Sequence, residues 1–156
     1  MSKAKNTIGR VEVVEFPELD LTLHARVDTG AKTSALWASK IAVDEDGVLK
    51  VVLLDDIHPE YSGKELSFDD YERTVVASSN GITETRYKVK LLVKLVDRKI
   101  RASFTLTNRS TQVYPVLVGR NVLLGKFIVD VSKGSPLVDA EQQQTKKLRQ
   151  NLEDNL

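Results

Sequence analysis

The chain has 156 residues, no cysteine, and 23 Lys+Arg against 22 Asp+Glu, a formal net charge of +1. That length supports one domain with a substantial core, or two very small ones. The near-neutral balance supplies no whole-molecule basic field for nucleic acid, and the lack of cysteine excludes disulfide scaffolds, thiolate zinc sites and thiol nucleophiles.

The first ten residues, Met-Ser-Lys-Ala-Lys-Asn-Thr-Ile-Gly-Arg, contain no apolar core of a signal peptide. No later run approaches the roughly 20 apolar residues needed to cross a bilayer. The expectation is a soluble, cytoplasmic protein with no membrane and no nucleic-acid partner. Val11 to Phe16 reads as a strand rich in β-branched residues. From Asp20 to Asp28, Leu21, Leu23, Ala25 and Val27 share one face while Thr22, His24 and Arg26 share the other, the period of a half-buried strand. Val48 to Leu54, Arg73 to Ala77 and Tyr87 to Val96 are further strand candidates. Ile100, Ala102, Phe104 and Leu106 then alternate with Arg101, Ser103, Thr105 and Thr107. Phe127 to Val131 is the last strand candidate.

Between these runs, Asp46-Gly47 and Asn80-Gly81 supply the positive φ of tight hairpin turns, and Asp97-Arg98 is placed to close a third. Short strands at hairpin spacing, with no repeat and no Pro-, Gly- or Ser-rich linker, indicate a single small barrel or sandwich. Val122 to Lys126 reads as one short helical turn. A domain over residues 1–138 leaves a tail over 139–156 that is polar, rich in Gln and Lys, and either helical or disordered. Its Leu148, Leu152 and Leu156 are spaced by four, a pattern that fits either a docking stripe or a fraying end.

The chemistry concentrates in Ala25-Arg26-Val27-Asp28-Thr29-Gly30-Ala31. A strand with one apolar face delivers an acid, then a hydroxyl residue and a glycine. Aspartic proteases need this order because the strand fixes the Asp, while Gly turns the backbone so tightly that amide N–H groups point back at the carboxylate. The Thr hydroxyl is then placed to bond across to a matching loop. An Asp that merely opens a turn is the plainer reading of the triplet alone. A second element shifts the balance: Val116-Leu117-Val118-Gly119-Arg120-Asn121-Val122-Leu123 is an apolar strand meeting Gly and a short helix. Such a strand packs beneath the acid-bearing loop of retropepsin-like proteases and holds it rigid.

With these strings in place, the chain resembles the retropepsin-like proteins that carry the label ATP-dependent zinc protease. These include RimB-type peptidases associated with RimK, a ribosomal-protein glutamate ligase. The matching residues are Ile8-Gly9-Arg10, Val27-Asp28-Thr29-Gly30-Ala31-Lys32-Thr33-Ser34-Ala35-Leu36, Ser78-Ser79-Asn80-Gly81 and Thr83-Glu84-Thr85-Arg86-Tyr87. Further on they are Thr105-Leu106-Thr107-Asn108-Arg109, Leu117-Val118-Gly119-Arg120 and Phe127-Ile128-Val129-Asp130. The resemblance implies an all-β, retropepsin-like (acid protease) closed barrel with one half-site per chain.

It also implies a mechanism. Asp-Thr-Gly occurs once, so the catalytic residues Asp28, Thr29 and Gly30 of two chains would meet at the axis of a homodimer. Two such acids share one proton and titrate as a unit. The ionised member takes a proton from water, which attacks the amide carbonyl, and the protonated member donates to the substrate oxygen and then to the leaving nitrogen. Arg26, Lys32, Arg86, Arg109 and Arg120 fall in or beside the matched strings. Taken together they suggest a basic cleft for an acidic or glutamate-tailed peptide, since Arg presents a planar fork to carboxylates. Taken singly, each reads as a solvated surface charge. A non-catalytic module that holds an acidic tail on the same fold is the rival reading.

The zinc and ATP parts of the label find no residues to carry them. The chain has two histidines, His24 and His58, and no His-Glu-x-x-His pair. Gly119 to Lys126 has a phosphate-loop look, but its glycine spacing is one residue too long and Phe127 stands where Ser or Thr is needed. The expectation is therefore no metal site and no cofactor, with a zinc hydrolase kept as a distant third reading. Ile57 to Gly63 is expected as a loop inserted into the minimal fold. The segment from Ser78 to Gly81 is expected as either a substrate-covering flap or a plain turn.

Overall fold

A computed structural model describes residues 4–77 and 80–156 of the chain. In order, the described elements are β1 (Asn6–Ile8), β2 (Val11–Phe16), a 3-10 turn over Pro17–Leu19, β3 (Leu21–Val27), β4 (Ser34–Val43) and β5 (Leu49–Leu53). They continue with β6 (Glu65–Phe68), β7 (Glu72–Ala77), β8 (Thr83–Leu95), β9 (Arg98–Thr107), β10 (Val116–Val118), α1 (Arg120–Leu123), β11 (Phe127–Val129) and α2 (Val138–Asp154).

Six strands close on themselves in the order β10, β3, β2, β8, β9, β4 and back to β10. This is the all-β closed barrel that the family resemblance implied, and it decides between the barrel and the sandwich that the alternating strands left open. Along β3, Leu23, Ala25 and Val27 are buried while Thr22 and Arg26 are exposed. Along β9, Ile100, Ala102, Phe104 and Leu106 are buried. Phe16 and Phe104 meet edge to face with centroids 5.4 Å apart at the heart of the core, beside Leu36, Val89, Val93, Leu95 and Val116. Each such side chain contributes about 1.5–3 kcal/mol on burial. Outside the barrel, β5 and β6 extend from β4, β7 pairs with the N-terminal half of β8, and β1 pairs with β11.

Strand β10 positions the site. It runs parallel to β3, with Val116 opposite Ala25 and Val118 opposite Val27, and antiparallel to β4, with Val116 opposite Leu36. Inserted between the two, it delivers Gly119 beneath the loop that joins them.

Two features differ from the sequence reading. The ten-residue β4 carries no alternation, because Leu36, Trp37 and Ala38 are buried in succession and the pairing register shifts between Ala38 and Lys40. Its first half is paired along both edges, by β9 and β10, and Trp37 is covered by the His58 ring, which meets it edge to face at 6.1 Å. The β8–β9 reversal falls at Val96-Asp97, one residue earlier than expected, since Leu95 pairs with Arg98. The tail, read as either helical or disordered, forms the 17-residue helix α2, in which no residue is buried; Leu148 and Leu152 on it, and Leu156 beyond its end, face solvent.

Gly47 and Gly81 take positive φ at the two expected turns. The flap expectation rests partly on Ser78 and Ser79, which lie outside the described residues. Ile57 to Gly63 lies in the irregular connection between β5 and β6. No described helix is long and apolar enough to cross a membrane.

Candidate active site

Strand β3 ends at Val27, and Asp28 opens a tight loop. Its amide donates to the Val118 carbonyl at 2.9 Å, and its own carbonyl accepts from the Ala31 amide at 3.2 Å. The Gly30 amide donates to Asp28 Oδ1 at 2.9 Å. A Cβ on Gly30 would stand 3.2 Å from that same oxygen, so the missing side chain is what lets the amide approach squarely. Asp28 is partly exposed, and Thr29 and Gly30 are exposed at the barrel rim.

The next turn of chain holds this loop from below. The amides of Arg120 and Asn121 donate to the Ala31 and Lys32 carbonyls at 2.8 and 3.2 Å. Arg120 Nη1 donates to the Thr29 and Gly30 carbonyls at 3.1 and 3.0 Å. Four consecutive carbonyls, from Thr29 to Lys32, are thereby tied to the start of α1. Ser34, fully buried, accepts the Gly119 amide at 2.9 Å and donates to Asn121 Oδ1 at 2.8 Å. Asn121 Nδ2 then donates to the Ser103 carbonyl at 2.8 Å. Ser34 and Asn121 stood inside the quoted strings, yet nothing in their residue types announced this bracing role.

The five basic candidates do not form one cleft. Arg26 and Arg109 line a cavity of about 340 Å³ together with Arg10, Tyr114 and Glu141. Half-buried Arg109 donates through Nε to the Tyr114 carbonyl at 3.0 Å. Burial lowers its pKa first, the Arg26 charge lowers it further, and the Asp28 carboxylate opposes both. Arg86 lines a separate hollow with Ala31, Thr33, Lys88 and Thr105, and its Nη2 lies 3.6 Å from Glu84 Oε2. Arg120 is spent on loop carbonyls, and Lys32 is exposed beside them. The separation has a simple cause: Arg26 leaves β3 before the Asp28 loop, whereas Arg86 stands on β8, whose paired neighbours are β2, β7 and β9.

Three residues absent from the sequence-derived set complete the first cavity. Arg10 grips the Glu141 carboxylate with both terminal nitrogens, at 2.8 and 2.9 Å, and Tyr114 Oη donates to Glu141 Oε2 at 2.6 Å. The Arg10 hydrogen bond is the main cause holding the Glu141 carboxyl below its ordinary value. Burial and that same carboxylate push the Tyr114 hydroxyl up. Arg10 sits in the quoted Ile8-Gly9-Arg10 string, which was a usable signal.

His24 and His58 border another cavity with Glu60. His58 Nδ1 accepts the Glu60 amide at 3.0 Å, and burial lowers its pKa. Among the described residues, no three His, Cys, Asp or Glu side chains gather in a metal-holding group.

Comparison with known proteins adds to this geometry. A family model described as RimB-like, retropepsin-like aspartic endopeptidase RimB, matches residues 7–135. A relative from Parasynechococcus marenigrum (strain WH8102), named probable alpha-L-glutamate ligase, is 31% identical over 145 residues, covering 90% of this chain and 31% of its own length. A relative of the same name from Shewanella pealeana is 32% identical over 139 residues, covering 85% of this chain and 30% of its own. The chain thus spans less than a third of the length of these curated relatives. The crystal structure of Lpg0085, a protein of unknown function from Legionella pneumophila, matches with a TM-score of 0.61 and 29% identity, covering 84% of this chain and 97% of that one.

Proposed function

The chain belongs to the RimB-like family of retropepsin-like aspartic endopeptidases, and from that premise we propose that it is a cytoplasmic homodimeric peptidase that hydrolyses acidic or glutamate-rich peptides through paired Asp28 residues. The observation that carries this reading is the Asp28 loop. Its carboxylate is oriented by the Gly30 amide, and four of its carbonyls are tied down by Gly119's neighbours on α1. A loop held this firmly places a reacting oxygen without reorganisation at the moment of reaction.

One chain carries one such acid, so a second copy must supply the other. In the pair, the two carboxyls share a proton. The ionised one removes a proton from water as that water attacks the scissile carbonyl. The protonated one gives its proton to the carbonyl oxygen and, as the tetrahedral intermediate collapses, a proton passes to the leaving nitrogen. No covalent enzyme intermediate forms.

Arg26 and Arg109, beside Asp28, support an acidic substrate. So does the name of the relatives: a segment similar to this chain makes up about 30% of proteins named for glutamate ligation. A hydrolytic module attached to such a ligase would meet its glutamate product directly. The rival reading, a non-catalytic module that holds acidic tails, draws on the same arginines.

Incubating the protein and its Asp28→Asn variant with a short glutamate-tailed peptide, followed by mass spectrometry, separates the two. Shortened peptide from the parent alone, with fold and dimer kept in the variant, is the expected result. Binding without cleavage in both would favour the module, and neither binding nor cleavage would refute the substrate class.

A further inference from the structure

Helix α2 begins at Val138, past residue 135 where the family match ends. Its fourth residue, Glu141, reaches back into the cavity beside the Asp28 loop. There its carboxylate meets a fork-to-fork pair of hydrogen bonds from Arg10 and a short one from Tyr114. This is the geometry with which a protein recognises a carboxylate specifically. Arg10 is adjacent to the reacting end of β3, because its carbonyl accepts the Val27 amide at 2.9 Å. The cavity carries three guanidiniums, from Arg10, Arg26 and Arg109, against the one carboxylate of Glu141. Three positive charges less one negative leave an excess of two, so the cavity has cationic capacity beyond its present occupant.

The occupant is weakly fastened. No residue of α2 is buried. Besides those of Glu141, the hydrogen bonds that tie it to the barrel among the described residues are that of the N-cap Leu137 amide, donating to Tyr114 Oη at 2.9 Å, and that of Gln144 Nε2, donating to the Thr111 carbonyl. The Arg10 and Glu141 side chains remain 42% and 26% exposed, so water can solvate both when they part. An element held by a few polar contacts opens at low cost compared with the barrel.

We propose that Arg10, Tyr114, Arg26 and Arg109 form a subsite for the carboxylates of a glutamate-rich peptide, and that Glu141 fills it in cis until such a peptide displaces the start of α2. The proposal rests on the reading of Asp28 as the reacting acid for its meaning in catalysis, though not for its test. Glu141 stands in for a substrate side chain: the same carboxylate on the same length of stem, delivered by the chain itself.

Binding of tri-glutamate is measured calorimetrically at low salt in the Asp28→Asn protein, where nothing can be cut, with and without Glu141→Gln. If Glu141 holds the subsite about nine-tenths of the time, its removal tightens binding about tenfold. In parallel, hydrogen exchange of the α2 amides is followed in the otherwise unaltered chain. Saturating tri-glutamate should raise exchange across residues 138–154, and tri-glutamine should not. Equal or weaker binding in Glu141→Gln, unchanged α2 exchange at saturation, or no tri-glutamate binding in either protein would each overturn the proposal. A parent that binds in this way without cutting would instead refute the peptidase reading and leave the subsite standing.

Discussion

Where a Cβ on Gly119 would stand, the Thr33 carbonyl oxygen is 2.7 Å away and the Ala31 oxygen and Thr33 carbon are each 2.8 Å away. All three are backbone atoms of the loop that carries Asp28, and none can swing aside as a side-chain tip would. Gly119→Ala must therefore push β10 and the Asp28 loop apart, disturbing the Gly119 amide bond to Ser34 and the Arg120 and Asn121 bonds to the loop. The expected cost is about 3 kcal/mol of folding stability. Urea unfolding checks it, and a loss under about 0.5 kcal/mol, the scatter of ordinary surface changes, would mean that the close approach is not structural. Gly81, with positive φ and open space around its Cβ position, provides the contrast: there the constraint is dihedral, and no neighbour is displaced.

At the scale of elements, the β8–β9 hairpin contains a mismatch between residue and turn. Val96 occupies φ 58 at the first position of a two-residue loop, a conformation that a β-branched residue adopts poorly and Asn adopts readily. Its side chain is half exposed, so little apolar burial is lost on replacement. Val96→Asn should stabilise the protein by about 1 kcal/mol and raise Tm by a few degrees, read by thermal unfolding. The hairpin also shows where the sequence is legible. β3 and β9 could be read from alternation because each buries one face only, and β2 from its β-branched residues. β4 could not, since consecutive burial and a register shift at Ser39 erase its period. β1 is three residues long, too short for any pattern. The docking of α2 was invisible for a different reason: Glu141 is polar and meets Arg10 across 131 residues of chain, a contact that only the closed barrel creates. That contact has a pH signature. The docked Glu141 carboxyl lies below its ordinary value of 4.5, so docking contributes stability above that pH and loses it as pH falls through the lower docked value. The two groups that hydrogen-bond it, Arg10 and Tyr114, both titrate above their ordinary values and so keep their protons throughout this range, and the Arg26 charge also faces it. Hydrogen exchange at residues 138–154, corrected for intrinsic rates, should rise on acidification before the barrel amides respond. Glu141→Gln should abolish that step, and a step unchanged in the variant would assign it to another group.

For the whole molecule, the decisive quantity is how many chains make one site. The Asp-Thr-Gly string and the bracing strand were legible because each is local in sequence. The grouping of arginines was not, since Arg26 and Arg109 come together with Arg10 only when β3 and the β9–β10 connection close over one cavity, while Arg86 is carried to another. What no single chain contains is a second Asp28. If the proposed pairing holds, a mixture of equal amounts of parent and Asp28→Asn chains, allowed to exchange subunits, assembles parent, mixed and variant pairs in about 1:2:1 proportion. A mixed pair keeps one carboxyl and one amide, and so lacks the ionised-and-protonated couple that the reaction needs. Peptide cleavage should then fall to about one quarter of that given by the same total amount of parent, whereas independent single-chain sites would retain about one half. Dilution gives the same information by another route: below the dissociation constant of the pair, activity per chain should fall in proportion to concentration. A mixed sample that retains half its activity and is insensitive to dilution would place the whole catalytic apparatus in one chain. The search for a second acid would then turn to residues other than Asp28.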